Sequence, residues 1–220
     1  MRDRTERPLL LGHRGARAVH SIPENTLPSF DRALADGCDG FEFDVRVTSD
    51  GVAVVCHDPH SAGVEITQVR AERLPALPRL EEALARYHDH AFLDIELKVA
   101  GLESIVTATV RKFPPQRGFV ISSFLPEMLE RMHAEAGSIP LGLICETRAE
   151  LARWNELPVE YVIPHYRLAD EEVISTIREA GKKILVWTVN DAKAMLRFSK
   201  ARVDGIVSDD TNLLVRTLGS

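Results

Sequence analysis

At 220 residues, with 45% hydrophobic and 27% charged residues, the chain is long enough to bury one sizeable core and has the composition of a folded globular protein rather than a disordered one. A formal net charge of −6 excludes the basic footprint of a nucleic-acid binder. No stretch approaches the ~18 apolar residues of a membrane span, and the polar run 1–8 precedes an apolar segment too short for a secretory signal. Cys38, Cys56 and Cys145 are odd in number and far apart, so they are expected to be apolar thiols in a reducing compartment, the cytoplasm.

In chain order, short apolar runs alternate with amphipathic ones. Strands are expected over 9–12, 40–47, 91–98, 118–122, 141–145, 161–163, 183–189 and 204–207. Helical periodicity occupies 27–35, 80–87, 104–113, 127–136, 150–155, 170–180 and 192–201. Asp170-Glu171-Glu172 opens one helix, and Gly37, Gly137 and Gly181 stand where helix C-caps belong. An extra strand over 52–56 follows the turn Ser49-Asp50-Gly51 and reads as a hairpin partner of the second strand. About eight βα units with short connections predict a (β/α)8 TIM barrel, one domain over 1–220. A doubly wound sheet is the rival, but its Gly-rich G-x-G-x-x-G turn is missing.

Active sites of such barrels lie at the C-terminal ends of the strands. In Gly40-Phe41-Glu42-Phe43-Asp44-Val45, alternation turns Phe41, Phe43 and Val45 toward the helices and Glu42 and Asp44 into the barrel. The third strand repeats the pattern, with Leu93, Ile95 and Leu97 outward and Asp94, Glu96 and Lys98 inward. Buried carboxylates repel one another and lose hydration, so they need a cation or must neutralise. A purely oxygen ligand set selects Mg²⁺ or Ca²⁺ over zinc; internal ion pairs with Arg14 and Lys98 are the alternative. His13 ends the first strand and His57 the extra one. Two imidazoles beside clustered carboxylates form a plausible acid/base pair. Arg14 offers a planar fork and Lys98 a point charge for a phosphate.

The ordered series His13-Arg14-Gly15, Pro23-Glu24-Asn25-Thr26, Glu42-x-Asp44, His57-Asp58, Glu96-x-Lys98, Trp187-Thr188-Val189-Asn190 and Asp204-Gly205-Ile206-Val207-Ser208-Asp209 resembles the glycerophosphodiester phosphodiesterase family through almost the whole chain. The resemblance implies a TIM barrel and metal-dependent hydrolysis of a small glycerophosphodiester to an alcohol and glycerol 3-phosphate. It further implies His13 and His57 as the acid/base pair and Glu42, Asp44 and Glu96 as ligands of one Mg²⁺ or Ca²⁺. Arg14 and Lys98 would hold the phosphate, and Trp187 would line the pocket.

Three departures accompany the match. The loop before Pro23 is slightly long, a Leu-x-Arg-Thr-Thr-like run with its small inserted domain is reduced to the segment 59–76, and Asp210 stands where proline commonly follows the final Asp. A shortened wall also fits a lysophospholipase-D-like activity on lysophospholipids. More distant alternatives are a phosphate-binding isomerase barrel and a non-catalytic binding module.

Overall fold

A computed structural model describes residues 7–219; residues 1–6, most of the polar N-terminal run, and Ser220 lie outside the described residues. In chain order the elements are β1 (Leu9–Gly12), α1 (Leu27–Asp36), β2 (Gly40–Val47), β3 (Ala53–Val55), β4 (His60–Ser61), β5 (Val64–Glu65), α2 (Leu80–Tyr87) and β6 (Phe92–Leu97). They continue as α3 (Glu103–Lys112), β7 (Phe119–Ser123), α4 (Pro126–Glu135), β8 (Leu141–Cys145), α5 (Arg148–Leu151) and β9 (Tyr161–Pro164). The last are α6 (Glu171–Glu179), β10 (Lys183–Val186), α7 (Ala192–Lys200), β11 (Gly205–Ser208) and α8 (Thr211–Leu218).

Eight strands of the described residues run parallel in the order β1-β11-β10-β9-β8-β7-β6-β2, and β2 pairs back onto β1 to close a TIM barrel. The expected extra strand is β3, antiparallel to the end of β2 with Val45 opposite Val55. Side-chain caps open the helices: Thr26 accepts from the Ser29 amide, Asp170 from Val173, Asp191 from Ala194 and Asp210 from Leu213. Each satisfies an amide that the helix itself leaves unpaired.

Alternation along the strands divides the core in two. Outward residues Phe41, Phe43, Val45, Leu93, Ile95 and Leu97 pack beneath the helices. There Phe30 stacks on Phe41 at 4.2 Å, and Tyr87 meets Phe41 edge-on at 5.0 Å. Inward residues Leu11, Phe92, Val120, Ile144, Tyr161, Ile163, Leu185 and Val207 fill the barrel interior. The interior is therefore plugged by apolar side chains, and the polar groups sit above that plug, toward the C-terminal ends.

Some boundaries differ from expectation. The ladder of β10 stops at Val186, and the Trp187–Thr188 peptide is cis. Helix α5 is a single turn followed by a 3-10 turn over Trp154–Glu156. Gly181 has a left-handed φ of 73°, whereas α4 is capped by Ala136 and not Gly137. Helix α8, unmarked by the sequence periodicity, buries Leu214 and Leu218. The 59–76 segment is folded: β4 pairs with β5, two 3-10 turns follow, and Ile66 and Leu74 pack on Val54. The thiols are free; Cys38 and Cys145 are buried, which pushes each up to about 12, and Cys56 is half-buried. No helix of the described residues is long and apolar enough to cross a membrane.

Candidate functional site

The acidic cluster follows from strand register. Parallel pairing of β2 with β6 sets Glu42 beside Asp94 and Asp44 beside Glu96, all on the inward face. A one-residue slip would turn all four outward. All four are buried, and one oxygen each from Glu42, Asp44 and Glu96 lies within 4.8 Å of the others. Burial, then the charges of Asp44 and Glu96, raises Glu42 well above the usual carboxylate range. Burial and Asp44 bring Glu96 to about 7. Burial acts on Asp44 too, but Lys98, Arg14 and an Asn25 hydrogen bond outweigh it and hold that carboxyl low. Asp94, level with Glu42 in the register, takes a hydrogen bond from Ser122 Oγ at 2.5 Å, and is raised by burial to about 7.

Two oxygens of this cluster, Glu42 Oε1 and Asp44 Oδ1, are buried without a hydrogen-bond partner, the second with only the Lys98 ammonium 3.4 Å away. Orphaned acceptors in the interior are costly. Three carboxylates converging on one point with acceptors to spare fit a hard divalent cation, which takes oxygen ligands.

His13 is the first residue past β1, and its amide donates to Ser208 O across the β1–β11 seam at 2.8 Å. The same seam brings Asp209 Oδ1 to 2.6 Å from His13 Nδ1. Asp209 also accepts from Asn190 Nδ2 at 2.6 Å. Partial burial opposes ionisation there, but the His13 hydrogen bond and charge, with Asn190, hold Asp209 down at about 2. An ionised Asp209 accepts an N–H from Nδ1, and the ring turns Nε2 toward the cluster, 3.8 Å from Glu42 Oε2. His57, just past β3, lines the same cavity, with Nδ1 2.8 Å from Asp58 Oδ1 and its carbonyl accepting from Arg46 Nε.

The cations are tied in by the same groups. Arg14 has a left-handed φ of 51°, its amide donates to Glu42 Oε2 at 2.9 Å, and its guanidinium reaches Glu24 at 2.7 Å and Asp44 at 3.3 Å. Gly15 lets the turn close: a Cβ there would lie 2.4 Å from Ser29 Oγ. Lys98 Nζ contacts Glu96 at 2.5 Å and Asp44 at 3.4 Å, above the Phe124 ring. Asn25 clasps Asp44 twice, donating to its carboxylate at 2.7 Å and accepting from its amide at 3.2 Å.

These groups border a cavity of about 400 Å³. Its polar side holds His13, Arg14, Glu42, Glu96, Lys98 and His57; the facing wall holds Phe124, Ile144, Ile163 and Trp187. Trp187 is fixed by its indole N–H to Ile163 O at 3.0 Å and by edge contacts with Phe124 and His165. The structure therefore gathers every sequence-predicted site residue around one cavity, with Asp44 just beneath its lining. Asp209, Asn190, Asn25, Glu24 and Glu146 join them without having been singled out. Four of the five lie in the quoted motifs, while Glu146 carries no motif signal.

The sequence profile of the glycerophosphoryl diester phosphodiesterase family matches residues 13–65 and 61–213. The chain belongs to this family. It is a phosphodiesterase. A glycerophosphodiester phosphodiesterase of Caldanaerobacter subterraneus subsp. tengcongensis is 28% identical, with 94% of this chain and 96% of the relative covered. Among solved structures, a glycerophosphodiester phosphodiesterase from Thermotoga maritima superposes with a TM-score of 0.83 at 25% identity, covering 95% of this chain and 97% of that one. An Oleispira antarctica phosphodiesterase in complex with the product sn-glycerol-3-phosphate gives 0.84 at 25% identity, with 96% of each chain covered.

Proposed function

We propose that the protein hydrolyses small glycerophosphodiesters to an alcohol and glycerol 3-phosphate with the help of one divalent cation, Mg²⁺ or Ca²⁺. The observation that carries this reading is the convergence of Glu42, Asp44 and Glu96 within 4.8 Å, with two oxygens that no hydrogen bond engages, at a cavity that His13 and His57 both line. Glu42, Asp44 and Glu96 are the residues that would hold the ion. When bound, it would neutralise phosphate charge as a Lewis acid. Arg14 and Lys98 line the same side of the cavity and would take the phosphate oxygens. One imidazole accepts the proton of the attacking hydroxyl, from water or from the substrate's own glycerol, as its oxygen bonds to phosphorus, and the other delivers a proton to the departing alcohol oxygen as the P–O bond breaks. Attack by the glycerol hydroxyl would give a cyclic phosphate that water then opens to glycerol 3-phosphate. Asp209, 2.6 Å from Nδ1, orients the His13 ring with Nε2 toward the cluster, where it would serve as the base, and His57 would serve as the acid. Trp187 and Phe124 give apolar contact to the carbon skeleton. The sn-glycerol-3-phosphate held by the Oleispira antarctica relative supports the product assigned to this chain.

The test is glycerol 3-phosphate release from glycerophosphocholine after exhaustive chelation, then with Mg²⁺ or Ca²⁺ restored. Loss and recovery of turnover are expected. Full activity in the chelated protein would refute the assignment of Glu42, Asp44 and Glu96.

A further inference from the structure

The carboxylates at the barrel mouth are almost all matched. Glu24 is held by Arg14 and Arg17, Glu96 by Lys98, Asp58 by His57, Asp209 by His13 and Asn190, and Asp44 by Arg14 and Asn25. Glu42 accepts the Arg14 amide and belongs to the converging cluster. Glu146 is different. It is the first residue past β8, it is exposed, and it lines the same cavity. Among the described residues no side chain hydrogen-bonds or ion-pairs with its carboxylate; only its backbone amide is engaged, by Glu150 Oε2 at 2.8 Å.

The cation nearby, Arg167, lies over the Tyr166 ring with its Nε donating to Tyr166 Oη, and no ion pair joins it to Glu146. The nearby wall is Ile144, Ile163, Phe124 and Trp187. His165 packs edge-on against Trp187, and burial and Arg167 push its pKa down against the pull of Glu146, so the ring is neutral at neutral pH. In the closed ring of eight strands, β8 stands diametrically across the mouth from β1, which places Glu146 opposite His13. A diester whose phosphorus sits between the two histidines sends one of its arms toward this wall.

A full negative charge on an aromatic and apolar wall is matched best by a full positive charge. The glycerol arm of the substrate carries none, and the phosphate is repelled, so the match must come from the alcohol. Resting on the function proposed above, we infer that Glu146 is a specificity-determining residue that selects glycerophosphodiesters whose leaving alcohol bears an ammonium group. The selection is modest because Glu146 is exposed and screened by salt.

The experiment compares glycerophosphocholine with its neutral carbon isostere, the 3,3-dimethylbutyl ester of glycerol 3-phosphate, in the full chain supplied with Mg²⁺ or Ca²⁺. The wild type is expected to favour the choline ester in kcat/KM by about threefold to fivefold, the size of one exposed ion pair, with the preference shrinking in high salt. In Glu146→Gln the ratio should approach one, and in Glu146→Lys it should fall below one. A wild-type ratio of one, or parallel losses on both esters in Glu146→Gln, overturns the inference, since Glu146 would then serve the glycerophosphate that both share. Absence of turnover by the wild type on both esters overturns the proposed function, and the inference with it.

Discussion

His13 illustrates how a site residue acquires its chemistry from partners far away in the chain. Its proton is assigned to Nδ1 by Asp209 at 2.6 Å, and Asn190 in turn holds Asp209. The histidines, the three clustered carboxylates and Lys98 were readable because each lines a strand or follows its end, and Arg14 because it stands in the His13-Arg14-Gly15 motif. Asp209 was quoted as part of a motif, but no role could be read for it. Its partner lies 196 positions away, and only the closure of β1 on β11, with Gly12 opposite Ser208, makes the next residue of each strand a neighbour of the other. Asn25 and Glu24 were opaque for the same reason, since a loop of left-handed residues folds them back over Asp44 and Arg14. If His13 and His57 move the protons, His13→Ala and His57→Ala should each lower kcat by about 10²–10⁴-fold. The double variant should lose far less than the product of the two, because the pair acts as a unit. Near-wild-type kcat in His57→Ala, measured on glycerophosphocholine, would remove His57 from the pair.

At the scale of elements, β2 bears most of the burden: one face carries two carboxylates and the other anchors the outer core. The alternation that made this legible is strict, and the observed register obeys it. Gly40 begins the strand where a Cβ would lie 1.9 Å from the Phe92 carbonyl oxygen, so the close approach of β2 to β6 depends on that glycine. Phe41 then stacks on Phe30 at 4.2 Å, with Tyr87 edge-on. Truncating it leaves a cavity lined by rings that cannot collapse, so Phe41→Ala is expected to cost ~3–5 kcal/mol, read as a lower urea midpoint with unchanged slope. A cost under ~1 kcal/mol would mean that the layer repacks. Elements with weaker signals were less legible. The 59–76 segment reads as a loop because its strands are two residues each, and its order comes from Ile66 and Leu74 meeting Val54, a tertiary contact with no periodicity to announce it.

The whole barrel has to accommodate a charge problem created at its mouth. Glu42, Glu96 and Asp94 have pKa values raised by burial and by the charge of Asp44, the last two to about 7. A carboxyl whose folded pKa lies above its unfolded value binds more protons in the folded state, so stability falls as pH rises from the unfolded pKa, ~4, through the folded one. Without a divalent ion the protein should therefore lose thermal stability between pH ~4 and ~7 from these groups, as Glu42, Glu96 and Asp94 become ionised in the interior beside an Asp44 that is already charged. Divalent cations bind the ionised ligands, so their stabilisation must run the other way, small where the carboxyls are protonated and large where they are not. The expected outcome is a rise in Tm on adding Mg²⁺ or Ca²⁺ that is clearly larger at mildly alkaline pH than in mild acid, and that disappears in Glu42→Gln and Glu96→Gln variants. Thermal melts with chelator and with each ion, at both pH values, measure it. An equal shift at the two pH values would place the ion elsewhere, and a chelated protein more stable in alkali than in acid would show that Arg14 and Lys98 alone balance the cluster.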